Sequence, residues 1–201
     1  MTRRIVVATR NRGKLREIVP LLAGLDLELR TIDELAPDAE LREDGVTFEE
    51  NALAKARQAA QATGLPAIAD DSGLEVDALG GAPGVYSARY AGLPSDDARN
   101  NAKLIAALAA LPVGPHAGRF RCVAAFVDPR RGFELVRSGS CEGQILPVPR
   151  GGGGFGYDPL FLLPRLGRTM AELSVEEKNR LSHRAAAFAA LAAALRVDPS
   201  G

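Results

Sequence analysis

The chain has 201 residues, and its 25 basic and 25 acidic side chains leave a formal net charge of zero, which argues against a polycation that coats nucleic acid or membranes. The longest apolar run, residues 185–195, is too short to cross a bilayer, and residues 5–8 are too short for a signal-peptide core. We expect a cytoplasmic protein with one domain over residues 1–201, folded around one core or as two lobes, with neither nucleic acid nor membrane as a partner.

The first predicted elements are a strand, a polar loop and a helix. Residues 4–9 are apolar and β-branched, residues 9–14 are polar, and Leu15, Ile18 and Leu22 then recur at helical spacing. A loop that leads into a helix N-terminus is a common anion site, although the GxxxxGK[ST] spacing of a P-loop is absent. The loop therefore binds phosphate or is a surface loop of solvated arginines.

The next segment predicts a second strand and a capped helix. Residues 25–32 alternate as a half-buried strand does, and residues 33–46 are polar and loop-like. Thr47 and Glu50 form a capping box that opens an alanine-rich helix, and this helix ends at Gly64.

Lysine is rare in this chain. Only four of the 25 basic residues are lysines, namely Lys14, Lys55, Lys103 and Lys178. A retained lysine hints at a site that needs a compact point charge, which arginine does not supply. Lys55 shares a helix face with Asn51, four residues earlier, and points toward a cleft or into solvent. Solvent is the default expectation.

The stretch we consider most informative begins with the apolar residues 65–69, which predict a buried strand. Asp70 and Asp71 follow, and we expect the end of the strand to present them at the edge of a sheet, which is where ligands bind in open α/β sheets. Adjacent side chains of a strand point to opposite faces, so one carboxylate would face a cleft and the other would hold a turn at residues 72–73. The alternative is that both are ordinary turn residues.

The middle of the chain predicts a helix and a hairpin. Residues 95–111 form an amphipathic pattern that a proline stops, and residues 119–127 and 133–145 alternate on either side of a turn. Cys122 and Cys141 are predicted to be free buried thiols; the alternative is that they are neighbours on adjacent strands.

A glycine-rich loop at residues 150–159 carries two aromatic residues. Its five glycines let backbone N–H groups approach a ligand, and a planar base could stack on Phe155. The alternative is that the aromatics fold back into the core.

A capping box at Ser174 and Glu177 opens the next helix, and His183-Arg184 heads the last one. Cations at a helix N-terminus oppose the helix dipole, which suggests a negative or hydrogen-bonding ligand nearby. The alternative is that His183 merely packs on the surface.

These features together are the parts of a nucleoside triphosphate site, and the sequence resembles the inosine/xanthosine triphosphate pyrophosphatase family, whose members remove non-standard purine nucleotides. The matching stretches run in order along nearly the whole chain: ATRNRGKLREI, TFEENALAKARQAA, PAIADDSGLEVDALGGAPGVYSARYAG, GGGGFGYDPLF and AELSVEEKNRLSHR. The resemblance implies an α/β fold with an elongated mixed β-sheet flanked by helices, two lobes with a central active-site cleft, and a homodimer.

The resemblance also implies a role for individual residues. Asp71 would be the catalytic base and, with Glu43, a Mg²⁺ ligand. The substrate-binding residues would be Thr9, Asn11, Lys14, Lys55, Ser72, Phe155, Gly156, Tyr157, Asp158, Lys178, His183 and Arg184. Among them, Thr9 to Lys14 would hold the triphosphate, Phe155 would stack on the base, and Lys178, His183 and Arg184 would read the purine edge.

The activity that this implies is Mg²⁺-dependent hydrolysis of ITP, dITP and XTP to the monophosphate and pyrophosphate, which cleanses the nucleotide pool. A triphosphate repels nucleophiles, so a metal ion and lysines must neutralise its charge. Two alternatives stay open: a pyrophosphatase of related fold acting on other modified nucleotides, and a nucleotide-binding module without turnover.

Overall fold

A computed structural model describes residues 3–112 and 114–197 of the chain as an α/β fold. The strands in these ranges are β1 Arg3–Val7, β2 Leu27–Thr31, β3 Ala67–Val76, β4 His116–Asp128, β5 Phe133–Ile145, β6 Phe161–Leu163 and β7 Arg168–Thr169. The α-helices are α1 Arg12–Leu22, α2 Ile32–Leu35, α3 Phe48–Thr63, α4 Asp97–Ala109, α5 Val175–Leu181 and α6 His183–Val197.

The seven strands form one sheet in the order β2-β1-β3-β4-β5-β6-β7. β1 pairs in parallel with β2 and with β3, whereas β6 pairs antiparallel with β5 and with β7. The sheet is therefore mixed and flanked by helices, which confirms the predicted fold class.

The two ends of α3 are set by local signals that are visible in the sequence. The Thr47 hydroxyl accepts a hydrogen bond from the Glu50 N–H at 3.1 Å, and the Glu50 carboxylate accepts one from the Thr47 N–H at 3.1 Å. Gly64 ends α3 in the left-handed region, with a φ of 67°. Both signals satisfy backbone groups that have no partner at a helix end, so the predicted bounds of α3 are confirmed.

β3 corrects one prediction. The apolar run does form a buried strand, but the strand continues through both aspartates to Val76. The turn expected at residues 72–73 is therefore wrong. A buried carboxylate is tolerated within a strand when cations pair with it, and such partners come from segments far away in the sequence.

The chain divides into two compact units. Unit 1 comprises Met1–Asp71, Cys122–Gly139 and His183–Gly201, and unit 2 comprises Ser72–Arg121 and Ser140–Ser182. A central cleft between two lobes stays a prediction.

Each unit has its own hydrophobic core. In unit 1 the last helix packs Phe188 and Leu191 with Ile18, Ile68 and Phe126. Burying one such side chain stabilises the fold by about 1.5–3 kcal/mol. The core of unit 2 includes Leu104, Tyr157, Leu160, Phe161 and Met170. Within the described ranges, no helix is long and apolar enough to cross a membrane.

Candidate functional site

The polar loop before α1 is built as a helix cap. The Asn11 side chain accepts hydrogen bonds from the N–H groups of Gly13, at 2.8 Å, and Lys14, at 3.1 Å. The Thr9 hydroxyl accepts one from the Asn11 N–H at 3.2 Å. Thr9 and Asn11 therefore shape the N-terminus of α1, where the helix dipole favours an anion. Phosphate binding by this loop stays a prediction.

Asp70 lies at the centre of a buried charge cluster in unit 1. One of its oxygens is 3.1 Å from the Lys14 ammonium and 3.3 Å from the Arg184 guanidinium. Burial opposes ionisation of this fully buried carboxyl, yet the charges of Lys14, Arg184 and Lys55 outweigh burial and hold its pKa well below the ordinary value. Its Oδ1 atom has no hydrogen-bond partner in the part of the chain that the structure describes. Asp70 therefore stays charged at neutral pH.

Asp71 has different partners, as expected for the opposite face of a strand. The Asn51 amide donates to its Oδ2 at 3.0 Å, and the Lys55 ammonium is 3.6 Å from its Oδ1. Burial raises the pKa of Asp71, although Lys55 and Lys14 pull it down. A carboxylate with a raised pKa is a better proton acceptor, which suits a general base.

Lys55 corrects another expectation. It is buried, not solvated, with 5% of its surface exposed. Its ammonium forms ion pairs with Glu43 and Asp71. Burial lowers the pKa of Lys55, but the carboxylates of Asp71, Glu43 and Asp70 outweigh burial, and the net shift is upward. Lys55 is therefore a fixed positive charge between two carboxylates.

The start of α6 adds a second buried cation. Arg184 is 2% exposed and forms ion pairs with Glu17 and Asp70. The alternative that His183 merely packs on the surface is wrong, because this side chain is also buried. The anion suggested by this helix start is supplied, at least in part, by the protein's own carboxylates. Contact of either residue with a purine stays a prediction.

Glu17 is a charged residue of this cluster that the sequence analysis missed. It lies three residues after Lys14 on α1, and residues at this spacing share a helix face. The spacing was therefore a usable signal that a carboxylate lies near the lysine. It could not reveal the partner, because Arg184 is 167 residues away.

In unit 2, the glycine-rich loop leads into a second set of predicted site residues. The Asp158 carboxylate accepts a hydrogen bond from the Phe155 N–H at 2.9 Å and one from the Lys178 ammonium at 2.6 Å. The same ammonium lies 5.4 Å from the centroid of the half-buried Phe155 ring. The structure thus brings together three of the residues predicted to bind the nucleotide.

The two aromatics of this loop differ in environment. Tyr157 is buried in the core of unit 2, and its hydroxyl donates to the Ser87 carbonyl at 2.8 Å. Burial raises the pKa of this phenol, so it stays protonated. The alternative that the aromatics fold back into the core is therefore right for Tyr157. Ser72, another predicted contact, is half-buried in β3.

Two residues of α4 that the sequence analysis did not single out hold the peptide groups of Gly156. The Asp97 carboxylate accepts from the Gly156 N–H at 2.7 Å, and the Asn101 amide donates to the Gly156 carbonyl at 2.9 Å. Gly156 itself has a φ of 61°, in the left-handed region that favours glycine. Its backbone is fixed on both sides.

The chain is similar to known proteins over nearly its whole length. Residues 5–194 match the model of the Ham1 family. The chain is 55% identical over 188 residues, 94% of each chain, to a dITP/XTP pyrophosphatase of Geobacter sulfurreducens. It is 51% identical over 203 residues to a dITP/XTP pyrophosphatase of Methylococcus capsulatus, with 100% of both chains covered. Its fold is similar to that of a HAM1 protein from Coxiella burnetii, with a TM-score of 0.88, 44% identity, and 96% of this chain and 98% of that chain covered.

Proposed function

Because the chain belongs to the Ham1 family, we propose that it is a pyrophosphatase that hydrolyses dITP, ITP and XTP to the monophosphate and pyrophosphate. The observation that carries this proposal is the near full-length identity of 55% to a dITP/XTP pyrophosphatase. Two local observations support it: the ammonium groups beside Asp70 and Asp71 suit a polyphosphate, and the half-buried Phe155 ring suits a purine.

The polyphosphate part calls for fixed positive charge. Lys14 and Lys55 supply two ammonium groups that the neighbouring carboxylates Asp70 and Asp71 hold in place. We propose that a bound triphosphate becomes a further anionic partner of these lysines, together with the N-terminus of α1. Neutralising the phosphate oxygens lowers the barrier to nucleophilic attack.

Magnesium fits the carboxylates of this cluster. Glu43 and Asp71 both contact the Lys55 ammonium, so their oxygens converge on one position of positive charge. Such oxygens are hard ligands, and Mg²⁺ usually takes one or two carboxylates besides phosphate oxygens and water. No group of three or more His, Cys, Asp or Glu that could hold a metal occurs in the described ranges, so this part of the proposal rests on the two carboxylates alone. When bound, the ion would neutralise phosphate charge.

We propose that Asp71 is the general base. It takes a proton from a water molecule whose oxygen bonds to the α-phosphorus, while the bond from that phosphorus to the bridging oxygen breaks and pyrophosphate leaves. The Asn51 amide, 3.0 Å from Asp71 Oδ2, orients the carboxylate and leaves Oδ1 on the side of Lys55.

We propose that the base is recognised by one aromatic ring and by hydrogen-bond donors. Phe155 would stack on the purine, and Lys178, His183 and Arg184 are the expected donors to its edge. Hypoxanthine and xanthine present a 6-keto acceptor where adenine presents an amino donor. A bound adenine would leave the buried donors of the site unpaired, and an unpaired site of this kind can reject the wrong substrate by on the order of 10⁴-fold.

The deciding experiment measures pyrophosphate release from dITP, XTP, GTP and ATP, with and without Mg²⁺. We expect fast release from dITP and XTP with Mg²⁺ only. Asp71→Asn should lower kcat by roughly 10²–10⁴-fold, the usual contribution of a general base. Asp77→Asn, which changes a half-exposed aspartate a few residues later, should not.

Other outcomes separate the alternatives. A binding module would bind dITP, release no pyrophosphate and be indifferent to Asp71→Asn. A pyrophosphatase for other modified nucleotides would prefer a different member of a wider substrate panel. Circular dichroism of each variant shows whether the fold is retained. The homodimer and the cytoplasmic location are also part of the proposal, and light scattering tests the homodimer.

A further inference from the structure

Two side chains of helix α4 form hydrogen bonds with one residue of the glycine-rich loop of unit 2, Gly156. The Asp97 carboxylate accepts from the Gly156 N–H at 2.7 Å, and the Asn101 amide donates to the Gly156 carbonyl at 2.9 Å. Residues four apart lie on the same face of a helix, so both side chains reach the loop from one surface. We call Asp97 and Asn101 the α4 clamp.

The clamp stands on a rigid element. α4 has 13 residues, and its Leu104 and Leu108 are buried in the core of unit 2. The neighbouring Asn100 ties the same helix to another segment, because its amide donates to the Ala88 carbonyl at 3.0 Å and its oxygen accepts from the Ala91 N–H at 2.7 Å. The position of the clamp is therefore set by the core of unit 2 and by the Asn100 hydrogen bonds, as well as by its own contacts with Gly156.

The clamp and the Asp158 carboxylate fix successive peptide groups. Asp158 accepts from the Phe155 N–H at 2.9 Å, and the clamp holds both polar groups of the following residue, Gly156. The backbone on either side of the Phe155 side chain is thus restrained before any ligand binds. Preorganisation of this kind spares a ligand the entropy of ordering the loop.

We propose that Asp97 and Asn101 are positioning residues for base recognition, which fix Gly156 so that Phe155 is presented to the purine in one orientation. This inference rests on the proposed function. The clamp acts through Phe155, so its loss raises KM and weakens discrimination between bases, while kcat, which depends on Asp71 in unit 1, changes little.

The two hydrogen bonds run in opposite directions, because Asp97 accepts and Asn101 donates, and this difference allows a test. Asp97→Asn keeps an oxygen that accepts from the Gly156 N–H, whereas Asn101→Asp replaces the donor with a carboxylate that faces a carbonyl oxygen. We expect Asp97→Asn to stay within about threefold of the wild-type kcat/KM for dITP. Asn101→Asp, Asn101→Ala and Asp97→Ala should lose about tenfold, mostly in KM.

The matched control is Asn100→Ala, the same residue type one position earlier on the same helix. It removes two hydrogen bonds from the Asn100 side chain to the backbone of a different segment, so it lowers stability without changing the ratio of kcat/KM for dITP over dATP. Asn101→Asp, Asn101→Ala and Asp97→Ala should lower that ratio. The affinity for dIMP, measured by calorimetry, should fall in parallel and does not depend on turnover.

A double-mutant cycle with Phe155→Ala checks the route of action. If the clamp acts through this ring, Asn101→Ala should cause little further loss of kcat/KM in the Phe155→Ala background. If its effect is merely structural, the fold-losses of the two single variants should multiply in the double variant.

Three outcomes would each overturn the proposal: fold-losses that multiply in the double variant, an unchanged ratio of kcat/KM for dITP over dATP in Asn101→Ala, or a wild-type-like Asn101→Asp. Should an alanine variant fail to fold, the contrast between Asp97→Asn and Asn101→Asp still decides. A wild type that releases no pyrophosphate would instead contradict the proposed function, and dIMP affinity would then test the clamp.

Discussion

The buried ion pair between Lys178 and Asp158 allows a stability prediction that does not depend on catalysis. Its two charged atoms are 2.6 Å apart, and the side chains are only 5% and 6% exposed. At this separation the attraction is about 6 kcal/mol for an effective dielectric constant of 20. Lys178→Met keeps most of the apolar stem but leaves the Asp158 charge buried without that cation.

We expect Lys178→Met to lower the free energy of unfolding by about 3–5 kcal/mol, the usual cost of removing one partner of a buried pair. For a chain of this length, such a loss lowers Tm by on the order of 10 °C. Urea unfolding at pH 7, followed by circular dichroism, measures the change.

Arg57→Met is the matched control. Arg57 forms an ion pair of similar length with Glu134, at 2.6 Å, but these side chains are 55% and 38% exposed. Solvent screens this pair, so we expect a loss of at most about 1 kcal/mol. Equal losses of unfolding free energy in Lys178→Met and Arg57→Met would refute the reasoning that burial makes the Lys178–Asp158 pair the more stabilising of the two.

Three further predictions concern local strain, pH and thiol reactivity. Gly154→Ala should lower stability by about 2 kcal/mol, since a β-carbon would collide with the Asp158 carboxylate at a φ of 71°, whereas Gly152→Ala, with open space around it, should be nearly neutral in urea unfolding. The raised pKa of Lys55 means that its stabilisation is full below the ordinary pKa of 10.5 and is lost as pH rises through the higher folded value. Unfolding midpoints measured upward from pH 8 should therefore fall more steeply for the wild type than for Lys55→Met. Cys122 is fully buried and its pKa is raised by burial, so iodoacetamide at pH 8 should label it only in urea, and rapid labelling of the native protein would contradict this burial.

Elements with local signals were predictable from the sequence. The capping box of Thr47 and Glu50 and the left-handed Gly64 set both ends of α3, because each satisfies backbone groups within a few residues. The box of Ser174 and Glu177 likewise starts α5 as predicted.

The environment of charged residues was not predictable in this way. The end of β3 was misjudged because two aspartates look like a turn when read alone, whereas Lys14 and Arg184 pair with Asp70 inside the fold. Lys55 was expected in solvent for the same reason, since its partner Glu43 lies 12 residues away in a loop without periodicity. The sequence contains these residues but not the distances between them.

The route of the chain through the two units has a consequence for biosynthesis. The polypeptide passes between units after residues 71, 121, 139 and 182, so neither unit is a continuous segment. The apolar face of α1, with Ile18, packs against Phe188 of the last helix. At the rate of ribosomal synthesis, Phe188 is made roughly 10–30 s after Ile18. During that time the surface of α1 that packs against α6 stays exposed on the nascent chain. Chaperones that act at the ribosome bind apolar surface of this kind.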